Sequence, residues 1–178
     1  MARGRRTTLS RAQAATITKP KGRAGRLFLT DAVFWDVIAI HSHFEEISFG
    51  WAKMLGISIH QWMIIMAIQD LGQGAGVSVG AVSAKLHTDP SIVTTQSKGL
   101  EKEGRITRAP SPDDARVVLM SLTPKAVEEI ARIKGRRDEI RRAIFEELDD
   151  DALNALHATL GQLSEKLERA ERRLFAEL

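Results

Sequence analysis

The chain has 178 residues, of which 43% are hydrophobic and 28% charged, which is the composition of a folded globular protein. It contains no cysteine, which excludes disulfide scaffolds, cysteine-ligated metal sites and thiol catalysis. No apolar run reaches the roughly 18 residues that a membrane-spanning helix requires. The basic start also lacks the apolar segment of a secretory signal. We therefore expect a cytoplasmic protein with no membrane partner.

The formal net charge of +3 is distributed unevenly along the chain. Residues 1–26 contain eight basic residues and no acidic one, whereas residues 27–178 carry a net charge of −5. Within that acidic part, residues 72–125 form a basic section of +2. A polybasic arm is typical of contact with phosphates or an anionic membrane, and also of a solubilising tail. Because residues 1–26 lack helical apolar periodicity, we expect them to be a disordered basic arm.

Apolar periodicity, capping residues and glycine breaks predict a mainly helical chain. Thr30-Asp31 is the expected cap region of the first helix, and Gly56 ends it. Asp89-Pro90 and Thr123-Pro124 each combine a capping side chain with proline at the first helical position. The predicted helices cover residues 27–55, 59–71, 79–86, 90–103, 124–148 and a last segment through 178, with short strands over 105–108 and 117–122.

Two short helices, a tight turn and a two-stranded hairpin in this order predict a winged helix-turn-helix. In that arrangement the second helix enters the major groove of DNA and the hairpin, or wing, contacts the backbone or the minor groove. An ordinary amphipathic helix would also present a solvated polar face, but the element order and the local positive charge favour DNA recognition. The side chains expected to reach bases and phosphates are Ser91, Thr94, Thr95, Gln96 and Lys98, with Val93 and Leu100 on the core side.

Several segments at matching spacing resemble the MarR family of transcriptional regulators. They are Gly56-Ile57-Ser58-Ile59-His60-Gln61-Trp62, Asp89-Pro90-Ser91-Ile92-Val93-Thr94, Leu100-Glu101-Lys102-Glu103-Gly104, the wing Pro110-Ser111-Pro112-Asp113-Asp114-Ala115-Arg116, and Leu122-Thr123-Pro124. By element order the resemblance covers about residues 30–178. It departs from the family at Gln96, Ser97 and Gly99, where apolar or basic residues are usual, and at Arg105, where an apolar residue is usual. These departures leave the DNA half-site open.

The resemblance implies a mainly α fold with a small β-wing and an obligate homodimer. Helices in 27–56 and 124–178 would interlock with those of the partner, around a DNA-binding lobe of residues 57–123. It also implies that Arg116 enters the minor groove with Asp114 holding it in position. A narrow minor groove has enhanced negative potential, which suits an arginine. Apart from the resemblance, Arg108 in the basic section of residues 72–125 is a further candidate for contact with DNA.

Seven of the nine aromatic residues and three of the five histidines fall between residues 28 and 62. Such a stretch can line a cavity for an aromatic ligand, although at helical spacing it is more often core or dimer interface. The resemblance implies an effector that is an aromatic acid or its coenzyme A thioester, and the candidate contacts are Phe44, His60, Trp62 and Met66. His41 and Glu45, with His60, are a weaker candidate for a metal site, and we expect no metal.

The sequence therefore predicts a dimeric, ligand-responsive DNA-binding transcriptional regulator, acting as a repressor at a pseudo-palindromic operator. We expect no enzymatic activity and no cofactor, since no phosphate-binding loop or nucleophile motif is present. The alternatives are a structural dimerisation module and a nucleic-acid-binding protein without a small-molecule effector.

Overall fold

The computed structural model describes residues 22–72 and 76–177. Most of the predicted basic arm lies outside these residues. The described part corrects its boundary, because the first helix, α1, begins at Arg23 and not at residue 27. The backbone N–H of Arg26 donates to the carbonyl of Gly22, which closes the first helical turn without any side-chain cap. Alanine and arginine are good helix formers, so the helix extends into the arm.

The elements otherwise follow the predicted order closely. The first helix ends where predicted, at Gly56, which has the left-handed φ of 67° that favours glycine. Side-chain caps from Ser78, Asp89, Thr123 and Asp149 start four of the following helices. The bounds are α1 Arg23–Leu55, α2 Ile59–Gly72, β1 Val77–Ser78, α3 Val79–Leu86, α4 Pro90–Lys102, β2 Ile106–Pro110, β3 Val118–Leu122, α5 Pro124–Phe145 and α6 Asp150–Ala176.

The chain divides into two compact units, with the division in the sequence between Met63 and Ile64. The first unit holds α1 and the start of α2, and the second holds everything that follows. The predicted lobe of residues 57–123 and the helices after it are therefore not separated into units of their own. Their assignment to DNA binding and dimerisation stays a prediction.

The second unit contains a three-stranded antiparallel sheet in the order β1-β3-β2. The pairing of β2 with β3 sets Arg108 opposite Met120 and Ile106 opposite Leu122. Strand β1 was not predicted because it has only two residues, and it pairs Val77 with Met120. Its approach to β3 requires Gly76, since a Cβ there would lie 2.9 Å from the Cβ of Leu119.

The core of the second unit lies between α3, α4 and the sheet. Helix α3 contacts α4, β1 and β3, while α4 packs on β2 and α5 contacts β3. The side chains of this core are at most 2% exposed and come from four elements. They are Val82 of α3, Val93 and Leu100 of α4, Ile106 of β2 and Met120 of β3. These contacts fix α4 and the hairpin of β2 and β3 on one framework.

The two long helices at the ends of the chain present apolar side chains to solvent. In α1, Phe34, Trp35 and Phe44 are among the exposed aromatic residues, and Trp35 is 71% exposed. In α6 no residue is buried along all 27 positions. Among the described residues no single helix is long and apolar enough to cross a membrane. Only Gly25–Leu55 taken together with Ile59–Gly72, bent by 93°, has the necessary length and composition.

Candidate nucleic-acid interface

The turn between α3 and α4 is fixed by local hydrogen bonds. His87 adopts a left-handed φ of 47° at the end of α3, and the hydroxyl of Ser83 donates to the carbonyl of Thr88 at 2.5 Å. The carboxylate of Asp89 accepts the backbone N–H of Ser91 at 2.7 Å. Hydrogen bonds from the side chain and the backbone of Ser91 lower the pKa of Asp89. An ionised Asp89 at the N-terminus of α4 stabilises this helix.

One face of α4 is fully buried. Val93, Ser97 and Leu100 lie at positions i, i+4 and i+7, and each is 0% exposed. Ser97, a departure from the family pattern, is accommodated there because its hydroxyl donates to the carbonyl of Thr94 at 3.1 Å. Burial of this face turns the polar side chains of α4 outward.

The predicted recognition residues divide between exposed and half-buried positions. Ser91, Thr95 and Lys98 are exposed, and their spacing of i, i+4 and i+7 places them on one side of the helix. Thr94 and Gln96 are half-buried. The exposed side therefore carries two hydroxyls and one cation, groups that can contact base edges and phosphates.

The loop of the wing holds Arg116 against Asp114 in a bidentate ion pair. The Nε and one Nη of Arg116 donate to the two carboxylate oxygens of Asp114 at 3.0 Å each, and its backbone N–H donates to the same carboxylate at 3.0 Å. The side chain of Arg116 is nevertheless 91% exposed. The loop is closed by hydrogen bonds from Ser111 N–H to the Val117 carbonyl and from Val117 N–H to the Asp114 carbonyl. The arginine is thus oriented and still open to a ligand.

This pair changes the titration of both groups. The side-chain hydrogen bond from Arg116, and then its backbone N–H, lower the pKa of Asp114, and the same pair raises the pKa of Arg116. A carboxyl group whose pKa is lower in the folded state stabilises the fold at neutral pH and loses that contribution as the pH falls through the lowered pKa. The wing pair is therefore complete throughout the physiological range.

Arg108 lies in a different environment from the one expected of a DNA-contacting residue. Its side chain is only 12% exposed, and its Nη1 lies 3.9 Å from a carboxylate oxygen of Glu101 near the end of α4. Its Nε is buried and has no hydrogen-bond partner among residues 22–72 and 76–177. This placement does not favour the predicted DNA contact. No local pattern in the sequence predicts this placement, because Glu101 belongs to a different element.

The four predicted ligand contacts are placed separately. Phe44 on α1 is 47% exposed, whereas Trp62 on α2 is 3% exposed. His60 is exposed and Met66 half-buried, both on α2. His60 and Trp62 are two residues apart and lie on different faces of the helix. Trp62 is thus a core residue in this chain, and the ligand contacts stay a prediction.

A group that the sequence reasoning missed lies where α4 leads into β2. The guanidinium of Arg105 pairs with Glu103 and with Glu129 of α5, the latter at 2.9 Å. Thr123, at the start of α5, donates its hydroxyl to the carbonyls of Gly104 and Arg105 at 2.8 and 3.1 Å. Arg105 departs from the family pattern, but no local pattern predicts its pairing with Glu129, which lies 24 positions later.

Helices α3 and α4 with the turn between them, followed by the hairpin of β2 and β3, form a winged helix-turn-helix. Residues 57–118 match the model of the MarR family, and these residues include α3, α4, β2 and the wing loop. The resemblance to MarR-family transcriptional regulators that the sequence motifs predict is thus confirmed over this part of the chain.

Known proteins share this fold at low sequence identity. The chain is 20% identical to the HTH-type transcriptional repressor IacR of Pseudomonas putida over 138 residues, which cover 78% of this chain and 81% of that protein. CouR from Rhodococcus jostii RHA1, crystallised with p-coumaroyl-CoA, aligns with a TM-score of 0.66 and 21% identity over 76% of this chain and 93% of CouR. MepR of S. aureus, in complex with DNA, aligns with a TM-score of 0.61 and 16% identity over 75% and 96%.

The wing pair can be tested by titrating Asp114. We expect its carboxyl group to titrate below the usual range of aspartate, and to return toward that range in an Arg116→Gln variant, which cannot form the bidentate pair. The measurement is the carboxyl ¹³C chemical shift of Asp114 against pH. The control is the same titration of Asp89, whose pKa is lowered by hydrogen bonds from Ser91 and not by Arg116. An unchanged Asp114 midpoint in the variant would contradict the pair.

Proposed function

We propose that the chain binds double-stranded DNA as a homodimer, with α4 in the major groove and Arg116 in the adjacent minor groove. The observation that carries this proposal is the pair of Asp114 and Arg116, because the carboxylate orients the guanidinium while leaving it 91% exposed. A guanidinium oriented in advance loses less conformational entropy on entering a narrow groove of negative potential. The likeness to MepR, whose structure holds DNA, supports the same use of the fold.

Helix α6 supplies the support for a homodimer. Its leucines recur at alternating intervals of three and four residues, which is the spacing of a helix–helix seam. Those at positions 156, 160, 167 and 174 are exposed, between 39% and 58%. A 27-residue amphipathic helix with no buried side chain needs a partner to cover its apolar face. A second copy of this chain offers an identical, self-complementary surface.

Two-fold symmetry then determines the form of the operator. Two α4 helices related by a two-fold axis would read a pseudo-palindrome with half-sites about 34 Å apart, one turn of B-DNA. The repressor action that we propose is supported by the likeness to IacR, which is named as a repressor. A dimer covering such a site blocks polymerase access without any further activity.

We also propose an effector of the class of aromatic carboxylates or their coenzyme A thioesters. The support is the likeness to CouR, which was crystallised with p-coumaroyl-CoA, together with the aromatic residues of α1. A ligand releases DNA only to the extent that it binds the DNA-free conformation more tightly. Phe44 and His60 remain candidate contacts because both are accessible, whereas the buried Trp62 supports the helix.

The DNA proposal is tested by an Arg116→Ala variant. We expect operator affinity to fall by about 1–3 kcal/mol, because the minor-groove contact is lost while the fold and the dimer remain. The measurement is a gel-shift titration against an operator selected from random DNA by the unaltered protein. Arg141→Ala is the matched control, since it removes an exposed arginine that is paired with Asp138 in α5. Equal operator affinity of the Arg116 variant and the unaltered protein would remove the wing from the interface.

The dimer proposal is tested by Leu160→Glu in the apolar seam of α6. Two-fold symmetry places the new carboxylate in the interface twice, so we expect the dimer dissociation constant to rise by about tenfold or more. Analytical ultracentrifugation measures it directly. Gln162→Glu adds the same charge to the same helix outside the leucine repeat and is expected to leave the dimer intact. Unchanged sedimentation of Leu160→Glu would exclude this seam.

The effector proposal is tested by adding p-coumarate, p-coumaroyl-CoA or free coenzyme A to the operator complex. We expect one of the aromatic compounds, and not free coenzyme A, to weaken DNA binding by about tenfold. A Phe44→Ala variant should need more effector for the same release, whereas Phe49→Ala, also an exposed aromatic of α1, should not. Full retention of DNA with all three compounds would contradict this effector class.

A further inference from the structure

The turn that connects the recognition helix to the wing is bound to the start of α5 by a set of polar contacts. The backbone N–H of Thr123 donates to the carbonyl of Arg105 at 3.0 Å, and the Thr123 hydroxyl bonds the carbonyls of Gly104 and Arg105. The ammonium group of Lys125 donates to the carbonyl of Glu103 at 2.8 Å. Three successive carbonyls at the end of α4 are thus held by two residues that begin α5.

Arg105 reinforces this connection with charge. Its side chain is 11% exposed and lies between the carboxylates of Glu103, in the turn, and Glu129, in α5. Its Nε donates to Glu129 at 2.9 Å, and the Glu129 side chain is itself 19% exposed. A shielded pair of this kind is screened less by salt than a surface pair, and removing one partner leaves the other charge uncompensated.

The two carboxylates and two cations of this group balance in charge. Glu103 and Glu129 are matched by Arg105 and Lys125, so the group has no excess charge that would attract a separate ion. It lies at the C-terminal end of α4, while the residues proposed to contact bases begin at Ser91 near the other end. Its effect on DNA is therefore an effect on the orientation of α4 and not a direct contact.

We propose that the Arg105–Glu129 pair sets the angle between α4 and α5 and thereby determines which half-site spacing the dimer accepts. This inference rests on the proposed function, in which α5 and α6 belong to the dimer framework and α4 reads DNA. In a two-fold dimer, a rotation of α4 relative to α5 is applied once in each protomer and changes the separation of the two recognition helices. Arg105 is in this sense a positioning residue for operator spacing.

The test compares spacing preference in variants of the pair. The full-length protein selects an operator from random DNA, and its affinity is then measured on that operator and on versions with one base pair added or removed between half-sites. We expect Arg105→Leu, which restores the apolar residue usual in the family, to reduce the preference for the selected spacing by about fivefold or more. Glu129→Gln should change it in the same direction, while affinity for an isolated half-site changes less than about twofold.

Two further variants distinguish positioning from a general loss of stability. Arg105→Lys retains the charge but not the planar fork, and should give an intermediate spacing preference. Arg105→Leu combined with Glu129→Gln should be no worse than Arg105→Leu alone if the two residues act as one unit. Arg141→Leu is the matched control, because it removes an exposed arginine from α5 and leaves the turn intact. Thermal melting checks that each variant is folded, and ultracentrifugation checks that it is dimeric.

The outcomes separate this inference from the proposed function. If the unaltered protein selects an operator and both pair variants keep its spacing preference within about twofold, the positioning role is wrong and the regulator proposal stands. If the unaltered protein selects no sequence at all, the proposed function fails, and the spacing role fails with it. A spacing preference that falls in both pair variants and remains in Arg141→Leu supports the inference.

Discussion

The packing of the second unit depends on the burial of one face of α4. Val93, Ser97 and Leu100 are completely covered by the framework of α3 and the sheet, so α4 has one rotational setting in which its apolar face is satisfied. That setting determines the side of the helix on which Thr95 and Lys98 lie, and Ser91 is held in addition by its hydrogen bonds to Asp89. A 13-residue helix is marginal alone in water, so its packing and its Asp89 cap supply the stability that its sequence lacks.

The same framework explains how the wing can present an almost fully exposed arginine. Strands β2 and β3 are anchored by Ile106 and Met120 in the core, so the loop between them needs only local hydrogen bonds to keep its shape. Asp114 provides them to both the backbone and the side chain of Arg116. An exposed ion pair contributes little to stability. The pair instead orients the guanidinium of Arg116, and the strands on both sides of the loop are held in the core.

The sequence was informative wherever the cause of a structure is local. Caps at Ser78, Asp89 and Thr123 and the break at Gly56 are determined within a few residues, and the predicted helix boundaries there agree with the structure. The family resemblance pointed to the pair at Asp114 and Arg116. The errors have non-local causes. Strand β1 is formed by pairing with β3, and Arg105 pairs with Glu129, which lies 24 positions later in the chain. The DNA contact of Arg108 stays a prediction, and its side chain lies near Glu101. The first helix begins at Arg23, four residues before the predicted start, because Gly22 and not Leu27 marks its boundary.

Charge distribution places a further condition on DNA binding by this chain. Residues 27–178 carry a net charge of −5, which repels DNA within about one Debye length, roughly 8 Å at physiological salt, and is screened at larger separations. Some cations of residues 72–125 also form ion pairs within the protein. Lys85 pairs with Asp70 at 2.7 Å, and Arg105 pairs with Glu103 and Glu129. Under the proposed function, attraction to DNA by residues 76–177 therefore depends on close contact by exposed cations such as Lys98 and Arg116. Such a protein would gain sequence discrimination from geometry, because a misplaced α4 would have little electrostatic attraction to compensate for the lost contacts.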